Sequence, residues 1–130
     1  MTKIDHPDYY QRHEFECIDF IEDHGLGFCI GNVVKYLTRA GRKSNSSAGD
    51  DLKKALWYLK RVYAKFGMSI NSYPHDRTLK ISTDAYVLDH KLDFDVADII
   101  RAICDKYDIS LAIVLLNNII EENGFNKEEK

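Results

Sequence analysis

No stretch of this sequence approaches the roughly 18 consecutive apolar residues that a membrane crossing requires. The opening residues, MTKIDHPDYY, hold no apolar signal core, so the protein is expected in the cytoplasm. Cysteine is scarce. Cys17, Cys29 and Cys104 lie in apolar stretches without metal-ligand spacing, which argues against a disulfide framework and leaves free buried thiols. An overall basic excess is also missing: 18 Lys/Arg stand against 21 Asp/Glu, a net charge of −3, which speaks against nonspecific binding of duplex DNA. A length of 130 residues with 45% apolar content fits one compact domain, or one with a small addition.

The charge that is present is unevenly placed. Residues 31–67 carry nine Lys/Arg and two Asp/Glu, whereas the stretches on either side are acidic. A focused basic island fits a small anionic ligand, or a pairing with the acidic flanks within one chain or between subunits. Two helical patterns fill this island. One runs from about Asn32 to Ala40 and stops at Gly41; the other runs from Asp50 or Asp51 to Phe66 and stops at Gly67. The Ser/Asn/Gly-rich loop from Arg42 to Gly49 joins them, which predicts an antiparallel helical hairpin.

On the first helix Asn32, Lys35 and Arg39 share a stripe, followed by Arg42 and Lys43. On the second, Asp50, Lys54, Trp57 and Arg61 line one face, with Asp51 and Tyr58 beside it. Pairing the helices gathers Lys35, Arg39, Lys54 and Arg61 around a cleft. Asn32 and Arg42 stand at its edge and Trp57 or Tyr58 forms a wall, which suits a phosphate joined to a flat base. The same residues also fit a solvated face that keeps a small helical protein soluble.

The segments HPDYY, ECIDFIEDHGLGFCIGNVVKYLTRAGRK and DLKKALWYLKRVY, within residues 6–66, resemble the bacteriophage SaV-like domain family. The resemblance implies a small phage protein. Some members are described as kinases of deoxynucleoside monophosphates, which would bring ATP and Mg²⁺ as expected cofactors. It also implies a role for the HPDYY element, where His6 or Tyr10 would close over the cleft as a lid; a packed N-terminal arm is the alternative.

Residues 14–24 read as a first helix on which Glu16, Asp19 and Asp23 share a face. Carboxylates so spaced can hold Mg²⁺, but only one such helix is present, so no metal site is assigned and Glu16 and Asp19 remain weak candidates. Salt bridges from them to Lys35 or Arg39 are the simpler use. Gly25, Gly27 and Gly31 lack the GK[ST] ending of a phosphate loop, although a helix start near Gly31 and Asn32 would offer free N–H groups to one phosphate.

Residues 68–92 read as an irregular or β connector: Thr78–Thr83 alternates like a short strand, Ala85–Leu88 is a second short piece, and His75 and His90 are surface histidines. A helix over 93–107 starts at Asp93, and Ser110 caps a final helix that is apolar on most sides. Such a helix in so short a chain points to a subunit interface, hence a homo-oligomer. The exposed positions of this pair, such as Asp95, Asp98 and Glu121, would repel DNA.

The fold class expected is therefore mainly α, in three parts: a helical domain over 1–67, a connector over 68–92 and a C-terminal helix pair over 93–130. The function expected is binding of a nucleotide; if the protein is an enzyme, the resemblance implies a kinase of (deoxy)nucleoside monophosphates. The alternative is a non-catalytic protein that sequesters a nucleotide signal or blocks a host defence protein.

Overall fold

The computed structural model describes residues 13–41, 47–67 and 79–124. These form six helices and no strand: α1 (Cys17–Asp23), α2 (Phe28–Ala40), α3 (Ala48–Phe66), α4 (Thr83–Asp89), α5 (Phe94–Cys104) and α6 (Ile109–Glu122). The architecture is mainly α, as the sequence patterns require.

α2 and α3 are the predicted hairpin. Val33, Val34 and Leu37 of α2 meet Leu52, Ala55, Leu59 and Val62 of α3, all buried. The two run antiparallel: Arg39 near the end of α2 faces Asp51 near the start of α3, while Phe28 at the start of α2 reaches Tyr58. α2 ends at Gly41, where a Cβ would sit 3.1 Å from Val96 Cγ1 and 3.2 Å from the Leu37 carbonyl, so the close approach of α5 selects glycine. α6 packs along α3 and α5, and α4 packs on α5. The buried apolar residues of all six helices belong to one cluster, in which each fully buried Leu, Ile or Phe contributes about 1.5–3 kcal/mol.

Four expectations are corrected here. α2 begins at Phe28, four residues before Asn32, so the Gly31 N–H is already inside the helix and donates to the Gly27 carbonyl at 2.7 Å. The helix start proposed at Gly31 therefore has no free N–H there. Residues 83–89 are helical, not a strand piece. Ser82 Oγ accepts from the Ala85 N–H at 3.0 Å, and Thr83, Tyr86 and Val87 turn one face inward. His90 is buried, not a surface residue: its Nε2 bonds the Phe15 carbonyl at 2.6 Å. Asp108, not Ser110, caps α6, accepting from the Leu111 N–H at 2.9 Å and from the Ser110 hydroxyl.

One face of α6 is covered inside the chain: Ile109, Ala112, Leu116, Ile119 and Ile120 are buried against the body of the molecule, while Leu111, Ile113 and Leu115 are half-buried and Val114 is exposed. The cysteines carry no disulfide: Cys17 and Cys29 are half-buried, and burial pushes the Cys104 thiol far up, so it stays protonated.

A row of rings crosses the interior. His24, Phe20, Tyr86, His90 and His13 follow one another with centroids 4.1, 4.3, 4.4 and 4.0 Å apart. The Tyr86 hydroxyl shares a buried hydrogen bond of 2.8 Å with Thr38 Oγ1, joining α4 to α2. His24 and His90 of this row fasten chain segments, His24 through the Ile81 carbonyl at 2.7 Å and His90 through the Phe15 carbonyl.

Candidate functional site

The sequence puts lysine or arginine at exposed positions of both hairpin helices, and the antiparallel pairing decides which of them meet. Tyr36, in α2, lies half-buried between the helices. Lys35 Nζ is 4.6 Å from the centre of its ring, Lys54 Nζ 5.5 Å and Arg39 Cζ 5.6 Å. Three of the four cations expected around a cleft are thus brought together, and the group at their centre is one that the spacing argument overlooked. Its signal was present: Tyr36 is four residues after Asn32 and three before Arg39, on the same helical stripe.

Arg39 is half-exposed, and its Nη2 lies 3.5 Å from Oδ1 of Asp51, which is 1% exposed. This pair anchors the cationic end of the face to the start of α3, where an acidic residue also complements the helix dipole. It replaces the expected bridges to α1. Glu16 and Asp19 have local work instead: they form the reciprocal cap of α1, with Asp19 Oδ2 accepting the Glu16 N–H at 3.0 Å. Asp23 accepts from the N–H groups of Lys80 and Ile81. As magnesium ligands Glu16 and Asp19 are therefore poor choices.

Asn32 sits on the predicted stripe, but its Nδ2 donates back to the Phe28 carbonyl at 2.8 Å, inside its own helix. Arg61 is exposed and lies on α3 about 10 Å along the axis from Lys54, beyond Tyr58 and toward the Phe28 end of α2. The structure thus splits the expected cation group in two, with Arg61 apart. Arg42, His6 and Tyr10 fall outside the described residues.

The expected base wall is a cluster of rings. Tyr58 is half-buried, stacked on Tyr36 with centroids 6.2 Å apart, and edge-on to Trp57 at 5.0 Å and to Phe28 at 6.1 Å. Trp57 is 60% exposed and Phe28 77%. Tyr58 therefore holds the cluster in place, while Trp57 and Phe28 offer open ring surface. Phe28 is a second residue that the sequence reading missed, because it took α2 to begin after it.

A separate cluster of metal-ligand types joins His13, Asp89 and His90, whose donor atoms lie within 4.8 Å of one another. Its geometry is that of a clasp. Asp89 takes the N–H groups of Glu14 and Phe15, both at 2.9 Å, and the imidazoles stack at an interplanar angle of 11°. Rings so nearly parallel direct their in-plane nitrogen lone pairs side by side, not at a common ion. Partial burial on its own would raise the Asp89 carboxyl, but the two N–H bonds and the neighbouring imidazoles outweigh it and hold the carboxyl below the ordinary range.

Residues 4–60 match a family model described as a protein of unknown function (DUF3310). Over 66 residues the chain is 39% identical to the Gene 1.7 protein of Enterobacteria phage T3, an alignment covering 44% of this chain and 39% of that one. The chain thus spans about two fifths of the length of this curated relative. The matching model does not carry the SaV-like name; what it supports is the broader resemblance to small phage proteins of unknown function. No solved structure matches the chain. The matched residues include α1, α2 and most of α3, and so most of the basic and aromatic face.

Proposed function

We propose that the α2–α3 face binds a nucleotide, with phosphate oxygens held by Lys35, Arg39 and Lys54 and the base lying on Trp57. The observation that carries this reading is the convergence of three cations on Tyr36, beside open aromatic surface. Like charges gathered on one ring repel, and a phosphate between them offsets that repulsion. Arg39 supplies a planar fork for two oxygens, and the lysines supply point charges.

The finer reading is a nucleoside monophosphate kinase. A phosphate oxygen of the monophosphate would take the terminal phosphoryl group of ATP, giving a diphosphate and ADP. Phosphoryl transfer depends mostly on positioning and charge neutralisation, which suits a cationic face without a covalent nucleophile. The side chains around Tyr36 fit an anion and do not fit a resident magnesium ion: the carboxylate there, Asp51, is buried against Arg39. Magnesium would arrive on the triphosphate.

Thermal stability against nucleoside mono-, di- and triphosphates, with and without Mg²⁺, tests the binding. A ligand at 100 times its dissociation constant adds about 2.7 kcal/mol, enough to raise Tm visibly. A shift with a monophosphate and a triphosphate, followed by formation of the diphosphate, supports the kinase. A shift without turnover leaves sequestration of a nucleotide. No shift with any nucleotide removes the binding face and favours a protein-blocking role.

A further inference from the structure

The geometry points to a single-stranded nucleic acid, a chain of nucleotides and not a lone one, as a ligand of the α2–α3 face. This inference rests on the reading that the face binds nucleotides, and it concerns what lies beyond the first phosphate. Small-molecule sites are concave and bury most of their ligand. Here the ring surface on offer is open, with Trp57 at 60% and Phe28 at 77% exposure. Single strands use such surfaces, stacking successive bases on exposed rings while cations follow the backbone.

The order of residues along α3 matches that use. Lys53 and Lys54 lie one turn before Trp57, and Lys60 and Arg61 one turn after it, all exposed. Each pair is thus about 5 Å along the axis from the ring, on opposite sides. A mononucleotide carries its phosphates at one end of the sugar, so it can engage the cations on one side of Trp57 only. A nucleotide within a chain has a phosphate on both sides, and a strand running along α3 would engage both pairs. Phe28, held edge-on to Tyr58 on the neighbouring helix, supplies a second open ring for a neighbouring base. The rest of the chain is net acidic, which disfavours a duplex.

Trp57 is the single tryptophan of the chain, so its fluorescence reports the face directly. The experiment titrates the full chain with thymidine monophosphate, its dinucleotide and a longer oligothymidylate at several salt concentrations. One added base stack, at about 1–3 kcal/mol, predicts affinity rising about tenfold or more from the monophosphate to the oligomer. Arg61→Ala, an exposed change, is expected to remove the part of the length-dependent gain that comes from the second phosphate and to lower the log–log salt slope by about 0.7, while Lys106→Ala on another part of the surface leaves both unchanged. Equal affinity for monophosphate and oligomer, or a length dependence indifferent to Arg61→Ala, overturns this inference and leaves the nucleotide face standing. No quenching by any of the three overturns both.

Discussion

Lys35, Arg39 and Lys54 all face the Tyr36 ring, but they are not bound into the fold alike. The lysines are exposed, whereas Arg39 also covers the buried Asp51 carboxylate. Lys35→Ala and Lys54→Ala should therefore change stability by no more than about 0.5 kcal/mol while weakening nucleotide binding. Arg39→Ala should weaken binding and also cost about 1 kcal/mol, a figure reduced for the half-exposure of the guanidinium. Paired denaturation and binding titrations on the three variants check this; equal stability losses for all three would contradict the distinction. The stripe of cations was legible from spacing alone, because residues three and four apart on a helix share a face. What spacing could not give was the partner across the hairpin. Only the register of α2 against α3 places Lys54 at Tyr36 and Asp51 at Arg39, and leaves Arg61 apart.

At the level of elements, the long amphipathic helices and the short α1 could be read from the sequence, and α4 could not. α2, α3, α5 and α6 each present several apolar residues at helical spacing, so their existence was plain and only their ends moved. α4, at seven residues, shows two turns at most, too few to separate a helical from an alternating pattern. Its place is fixed by contacts distant in sequence: the Ser82 cap, the Thr38–Tyr86 hydrogen bond and the 2.7 Å bond from Thr83 Oγ1 to Asp105. Tyr86→Phe removes one hydroxyl and strands the other in the core, an expected cost of about 1–3 kcal/mol in chemical denaturation. At α6, Asp108→Ala should cost about 0.5–2 kcal/mol, the usual effect of losing a helix cap, whereas Ser110→Ala should cost less, because Ser110 bonds only to the cap. The reverse order would restore Ser110 as the cap.

Across the whole molecule, the clasp at Asp89 joins residues 13–15 to the end of α4, and its strength depends on pH. The folded protein holds this carboxyl below its ordinary value, so its contribution to stability is full above the unfolded value of about 3.9 and is lost as pH falls through the lower folded value. The Tm difference between the protein and Asp89→Asn should thus shrink in acid below about pH 4. Thermal scans of both across that range test it, and a difference that grows in acid would contradict it. The molecule-wide charge layout was the most legible feature of all. A basic island between acidic flanks is visible in the residue counts, and the fold displays it on one hairpin.

The central claim is that this hairpin binds nucleotide phosphates. The direct measurement is Trp57 fluorescence titrated with nucleotides, in the protein and in a Lys35→Ala/Lys54→Ala double variant whose Tm is unchanged. Saturable quenching in the protein that is lost in the double variant is the result predicted. Quenching that is absent, or the same in both, would contradict it.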